Sequence, residues 1–187
     1  MPLRWEVRVL DVGDVHAYKS LRDHTLEADP SAFSSDAAAE RLRPAHSHLG
    51  RLDPAQADQG QFTLGVWDGS RLVGALSCER EARVKLRHRA QLVGMMVADG
   101  YRGQGLGSAL LRACLDRAGA AQGLEMLTLS VTDGNAAALR LYERFGFERY
   151  GTLPRALRAH GRDHAKHLMV LTLPARPGLA RPTPAGA

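Results

Sequence analysis

The segment Arg102-Gly103-Gln104-Gly105-Leu106-Gly107 constrains this chain more than any other. An apolar run with LVGMMV at its heart precedes it over residues 89–97, and an amphipathic stretch follows it. Over residues 105–118, Leu110, Leu111, Cys114, Leu115 and Ala118 share one helical face, while Ser108, Arg112 and Asp116 point away. Strand, glycine-rich turn and helix in that order form a cradle for an anion. Glycine lets backbone amides approach a ligand closely, and the first turn of a helix offers unpaired N–H groups at its positive dipole end. Two phosphate-loop readings lose on spacing. A Walker loop needs Lys followed by Ser or Thr after its last glycine, and Ser108-Ala109 stands there instead. A dinucleotide fingerprint counted from Gly103 meets Ser108 where its third glycine or alanine belongs. Gly94 interrupts the preceding strand and predicts a bulge or a close backbone approach.

The rest of the chain supplies the elements around this cradle. Residues 4–10 alternate between Trp5, Val7, Val9 and Arg4, Glu6, Arg8, the pattern of a half-buried strand. Asp11 or Asp14 caps a helix expected to run to Ala28, before Asp29-Pro30 stops it, and a second helix over 36–43 ends against Pro44. Strands over 62–67 and 71–79 flank an Asp68-Gly69 hairpin turn. A further strand covers 124–132. Asn135 then opens a helix whose stripe is Ala138, Leu141, Tyr142 and Phe145, with Gly146 as its C-terminal cap. Residues 147–151 and 167–173 read as two last strands, and the proline-rich end, 174–187, as a disordered tail. The order is strand, two helices, three strands, helix, strand, helix, two strands. That is one mixed α/β (α+β) domain over residues 1–173.

Composition agrees with a single globular fold. The chain has 187 residues, 44% hydrophobic, enough for a sizeable core and too apolar for general disorder. No run approaches the ~18 apolar residues of a membrane span. The first residues lack the apolar centre of a secretory signal, and Cys78 and Cys114 form no metal or disulfide framework, so a cytoplasmic protein is expected. The net charge of +5 is uneven. All the excess lies beyond residue 148, where seven basic residues (Arg149, Arg155, Arg158, Arg162, Lys166, Arg176, Arg181) face only Asp163. A second basic cluster, Arg80, Arg83, Lys85, Arg87 and Arg89, links two strand-like runs. No aromatics interleave with these side chains as a single-strand binding surface would need, which argues against nucleic acid. His160, His164 and His167 have no cysteine beside them and stand among cations, so no metal site is expected.

The segment MMVADGYRGQGLGSALL resembles the acetyl-CoA-binding motif of the GNAT superfamily of N-acetyltransferases. Its core, Arg/Gln-x-x-Gly-x-Gly/Ala, is matched by Arg102, Gly105 and Gly107. A second motif of that family is matched by Asn135, Ala138, Leu141, Tyr142, Gly146 and Phe147. GTLPRALRAHG followed by HLMVL is similar to a bacterial subgroup of unassigned substrate, although Ala165-Lys166 stands where that subgroup often carries an Asp-Glu pair. The resemblance implies a mixed, mostly antiparallel sheet of about seven strands flanked by about four helices. It implies an enzyme using acetyl-CoA as cosubstrate and an amine-bearing small molecule, peptide or protein as acceptor, without a metal, and it admits a homodimer.

Carried over by residue, the cradle of Arg102, Gly103, Gln104, Gly105, Leu106, Gly107 and Ser108 would hold the CoA pyrophosphate. Met95, Met96 and Val97 would pair with the pantetheine arm, one N–H polarising the thioester carbonyl, where a bulge at Gly94 splays the strand from its neighbour. Asn135 would hydrogen-bond the cofactor, and Tyr142 would reach its sulfur. The chemistry is then acyl transfer to an amine. At pH 7 only about 0.04% of a lysine-like amine is neutral, so a base, or waters leading to one, must take its proton. The departing thiolate gains from protonation, and Tyr142 is the natural acid. Residues 90–98 hold no acid. Glu79, Glu81 and His88 are the candidate bases, Glu79 foremost, and Arg155 and Arg158 are candidates for favouring an acidic acceptor. The rival reading is a non-catalytic acyl-CoA-binding or sensor domain of the same fold.

Overall fold

The structure, a computed structural model, describes residues 5–174. The expected tail lies outside the described residues apart from Pro174. Strands β1 (Glu6–Val9), β2 (Phe62–Asp68), β3 (Arg71–Arg80), β4 (Arg89–Val97), β5 (Met126–Thr132), β6 (Glu148–Ala159) and β7 (Arg162–Thr172) form one sheet. Their spatial order is β1-β2-β3-β4-β5-β7-β6. Helices α1 (Val15–Ala28), α2 (Ala37–Leu42), α3 (Leu106–Ala120) and α4 (Ala136–Arg144) pack around it. Every strand pair is antiparallel except β4–β5. Element order, strand number and helix number are those expected.

Local chemistry explains most boundaries. Asp11 and Asp14 form a reciprocal capping box around the 3-10 turn Val12–Asp14 that leads into α1, while α1 itself starts at Asp14 without a side-chain cap. The Asp14 carboxylate also receives both terminal nitrogens of Arg8, at 2.7 and 2.8 Å, tying β1 to this turn. Asp36 caps α2, accepting from the Ala39 N–H at 2.8 Å. Gly146, at φ +87°, takes the left-handed conformation that ends α4. The core fills both sides of the sheet. On one side α3 buries Leu106, Leu110, Leu111, Cys114 and Ala118; α1 buries Tyr18, Leu21 and Leu26.

The last two strands depart from expectation. Instead of two short strands separated by a loop, β6 and β7 form a hairpin of 12 and 11 residues turning at His160-Gly161. Pro154 lies within β6, where it cannot donate to the ladder. The chain accommodates it with an irregularity between Leu153 and Leu157, where Arg155 adopts φ +51°. Arg155 and Arg158 therefore lie on a strand, not in a loop, and both guanidinium groups bond Asp163 on β7, at 2.8 and 2.6 Å.

Candidate functional site

The parallel pair β4–β5 is where the sheet opens. The two strands are in register only at Arg89–Met126, Ala90–Leu127 and Gln91–Thr128. Beyond that, β4 stays with β3 and β5 stays with β7, leaving facing edges that do not bond each other. The cause is the bulge at Gly94. Between the partners Ser77–Val93 and Ala75–Met96, β4 uses one residue more than β3. Gly94 has φ +63°, which a side chain would strain. The N–H of Ala98 donates to Val73 of β3 at 2.9 Å, so strand alternation turns the N–H and C=O of Val97 away from β3, toward the opening.

The glycine-rich turn stands at the mouth of this opening. Gly103 and Gly105 have φ +75° and +89°, and a Cβ on either would meet open space. The first helical bond of α3 runs from Ala109 N–H to Gly105 C=O at 3.0 Å. Among the described residues no hydrogen bond engages the N–H groups of residues 103–108. Six consecutive free donors at the positive end of a helix suit a pyrophosphate. The side chains around them are held elsewhere: Gln104 donates to Gly100 C=O at 2.9 Å, and Arg102 pairs with Asp99 at 3.2 Å.

Helix α4 docks against that first turn. Leu141 packs against Gly107 so closely that a Cβ there would lie 3.3 Å from it, and Arg144 donates to the Ser108 hydroxyl at 3.0 Å. Asn135 caps α4, its side-chain oxygen accepting from Ala138 N–H at 3.1 Å. Tyr142 is only 6% exposed and stacks edge-on against Phe147, centroids 5.7 Å apart. Its hydroxyl has no hydrogen-bond partner among the described residues. Burial, with the neighbouring Cys114 thiol adding to it, holds its pKa well above that of an ordinary tyrosine, so it keeps its proton at any physiological pH.

On the other face of the sheet lies a cleft of about 480 Å³ between α1, the 3-10 segment Ala45–Arg51 and the end of β3. Cys78 faces Cys114 of α3, so its neighbour Glu79 projects to the opposite side, into this cleft. Arg51 reaches Glu79 at 2.7 Å and donates to the Tyr18 hydroxyl at 3.3 Å. That hydroxyl in turn lies 3.9 Å from the position of a Cβ on Gly94. A chain of contacts thus joins Glu79 to the bulge. The other candidate bases do not enter the cleft lining: Glu81 pairs with Arg83 and Arg89 beyond the end of β3, and His88 lies in the same connecting loop.

Sequence reasoning missed Tyr18, Arg22, His48 and Arg51. Tyr18 and Arg22 come from α1, and His48 and Arg51 from the 3-10 segment Ala45–Arg51. Only the fold brings them together. Among the described residues no group of three or more His, Cys, Asp or Glu is placed to hold a metal. His164 lies 3.4 Å from Asp133, and His167 is 3.2 Å from the Thr152 hydroxyl. No helix among the described residues is long and apolar enough to cross a membrane.

The family model of the acetyltransferase (GNAT) family matches residues 19–147. A curated relative, L-methionine sulfoximine/L-methionine sulfone acetyltransferase of Pseudomonas aeruginosa, is 44% identical over 66 residues. That stretch is 35% of this chain and 38% of the relative, so the match spans about two fifths of its length. Among solved structures, an acetyltransferase of the GNAT family from Streptococcus pneumoniae superposes with a TM-score of 0.81 at 24% identity, covering 91% of this chain and 99% of that one. The structure of yncA from Salmonella typhimurium, solved with its cofactor acetyl-CoA, superposes at 0.79 and 21% identity, covering 96% and 98%.

Proposed function

We propose that this chain, which belongs to the acetyltransferase (GNAT) family, transfers the acetyl group of acetyl-CoA to an amine by direct nucleophilic attack. The observation that carries the reading is the row of unengaged N–H groups at residues 103–108, set beside an edge of β4 that has parted from β5. The pyrophosphate suits the amides of Gln104, Gly105, Gly107 and Ser108, which supply charge complementarity without a cationic side chain. The pantetheine arm suits the open edge of β4 at Met95, Met96 and Val97, as an added strand. There the Val97 N–H is the donor for the thioester oxygen, on which charge builds as the amine attacks. Bound acetyl-CoA supplies the acyl group and a thiolate leaving group.

Protons then move on opposite sides of the sheet. Glu79, in the cleft, is our candidate to take the proton of the incoming amine, directly or through water. Tyr142, on the α3 side, is the candidate to hand its proton to the departing sulfur. A buried phenol that never ionises in the free protein is a standing donor for that step. The gap between β4 and β5 is the passage that joins the two faces. Asn135 has its carboxamide NH2 left for the cofactor, its oxygen being committed to the helix cap.

The test is a panel of amines offered with acetyl-CoA, following release of CoA thiol and the mass of the product. The reading expects thiol and acetylated amine in equal amounts with at least one acceptor. Acetyl-CoA binding without release from any amine, across small molecules, peptides and lysine-bearing proteins, would overturn it.

A further inference from the structure

The cleft beside Glu79 carries more positive charge than its internal pairings absorb. Four arginines line it, Arg22, Arg43, Arg51 and Arg80, against Glu79 and the Glu40 carboxylate buried beneath. Two of the four are committed. Arg80 donates through all three nitrogens to the carbonyls of Arg87, Gln59 and Gln122, at 2.6, 2.5 and 2.9 Å, and so staples loops together. Arg22 is buried against Glu40 at 2.9 Å and donates to Ser35 at 2.7 Å. The other two have donors to spare. Arg51 uses one terminal nitrogen for Tyr18 and the other for Glu79, leaving Nε without a partner among the described residues. The Arg43 guanidinium makes no hydrogen bond among the described residues. Its nearest acid is Glu40 at 3.9 Å, which Arg22 already holds.

We infer that the acceptor is a small amine that also carries a carboxylate, the carboxylate held by Arg43 and Arg51 and the amine directed to Glu79. The inference rests on the acetyl-transfer reading above and gives its substrate class. Charge decides it. A cationic polyamine entering the cleft would bring more positive charge to a surplus already present, whereas a carboxylate neutralises it through charge-assisted bonds for which guanidinium geometry is suited. His48, kept from protonation by its burial, adds no competing charge. Size points the same way, because about 480 Å³ is the volume of a small-molecule site. Arg155 and Arg158, the sequence candidates for this role, share Asp163 on the β6–β7 hairpin and do not line the cleft.

The test compares L-amino acids with their carboxamides as acceptors, alongside spermidine and a peptide rich in aspartate with a free N-terminus. Free amino acids are expected to exceed their amides in kcat/KM by about tenfold or more. Arg43→Gln, at an exposed side chain, should remove most of that preference; Arg51→Gln should remove it too. Equal rates for acids and amides, faster spermidine, a preference for the peptide, or a preference unchanged in Arg43→Gln would each overturn the inference. A second readout needs no catalysis. N-acetylated amino acids should raise the melting temperature more than N-acetylated amides do, and Arg43→Gln should abolish the difference. If acetyl-CoA failed to bind while this difference persisted, the acetyl-transfer reading would fall and the carboxylate site would stand. If acetyl-CoA bound and the difference were absent, the reverse would hold.

Discussion

Tyr142 combines three properties that a proton donor to sulfur needs. It lies on the helix that packs against the cradle, its hydroxyl is uncommitted among the described residues, and burial keeps it protonated. Tyr142→Phe should therefore cut turnover by about 10²-fold, the low end for loss of an acid–base group, while acetyl-CoA affinity stays within a few-fold. A matched loss of both, measured by calorimetry beside the rate assay, would make Tyr142 a packing residue. Glu79→Gln separates a base from an anchor in the same way. A base predicts a loss of kcat/KM of about 10²-fold or more that lessens as pH rises and more acceptor is already neutral. A pH-independent loss would assign Glu79 only to holding Arg51. At the cradle, Gly105→Val forces a β-branched residue to φ +89° and puts carbon into open ligand space. It should weaken acetyl-CoA binding by at least about tenfold with a small fall in melting temperature.

At the scale of elements, α1, α2 and the 3-10 segment Ala45–Arg51 are bound by a buried ionic cluster. Arg22 and His48 each lie 2.9 Å from Glu40 Oε1, and Glu40 is 2% exposed. Burial alone would raise the Glu40 pKa, but the hydrogen bond and charge of Arg22, with Arg43 behind it, outweigh that and lower it. Glu40→Gln leaves Arg22 buried opposite a neutral group and should cost about 3–5 kcal/mol in chemical denaturation. The pH dependence has a definite sign. The folded pKa of His48 is depressed chiefly by burial, so the unfolded chain takes up a proton first as pH falls below about 6.5. The hydrogen-bonded guanidinium of Arg8 depresses Asp14, whose contribution, like that of Glu40, is present above the ordinary carboxylate range and lost below it. Melting temperature should thus fall from pH 7 to pH 5, and His48→Asn should flatten that slope. A wild-type slope that survives in His48→Asn would exclude His48 as its source.

At the scale of the molecule, the elements legible in the sequence were those whose own side chains state their purpose. The alternating strands, the Asp caps, the apolar face of α3 and the glycine that bulges β4 are all local signals. Two motifs in the right order were enough to suggest the architecture that the structure shows. The hairpin of β6 and β7 was legible only in part, because Pro154 and the positive φ at Arg155 break the alternation that marks a strand, while pairing across to β7 sustains it. The cleft was hardly legible at all. Its cations come from α1, the loop after α2, the Ala45–Arg51 segment and the end of β3, and in sequence Arg43 and Arg51 resemble solvated arginines anywhere. Which charges are spent on the fold and which are left over is a property of the assembled chain.

The cradle and the parted strands carry the account, and calorimetric titration of the folded protein with acetyl-CoA tests them most directly. One site per chain with micromolar affinity is expected, weakened in Gly105→Val and retained in Tyr142→Phe. No binding by protein that melts cooperatively would contradict it, and would mean that the free amides of residues 103–108 serve some other ligand.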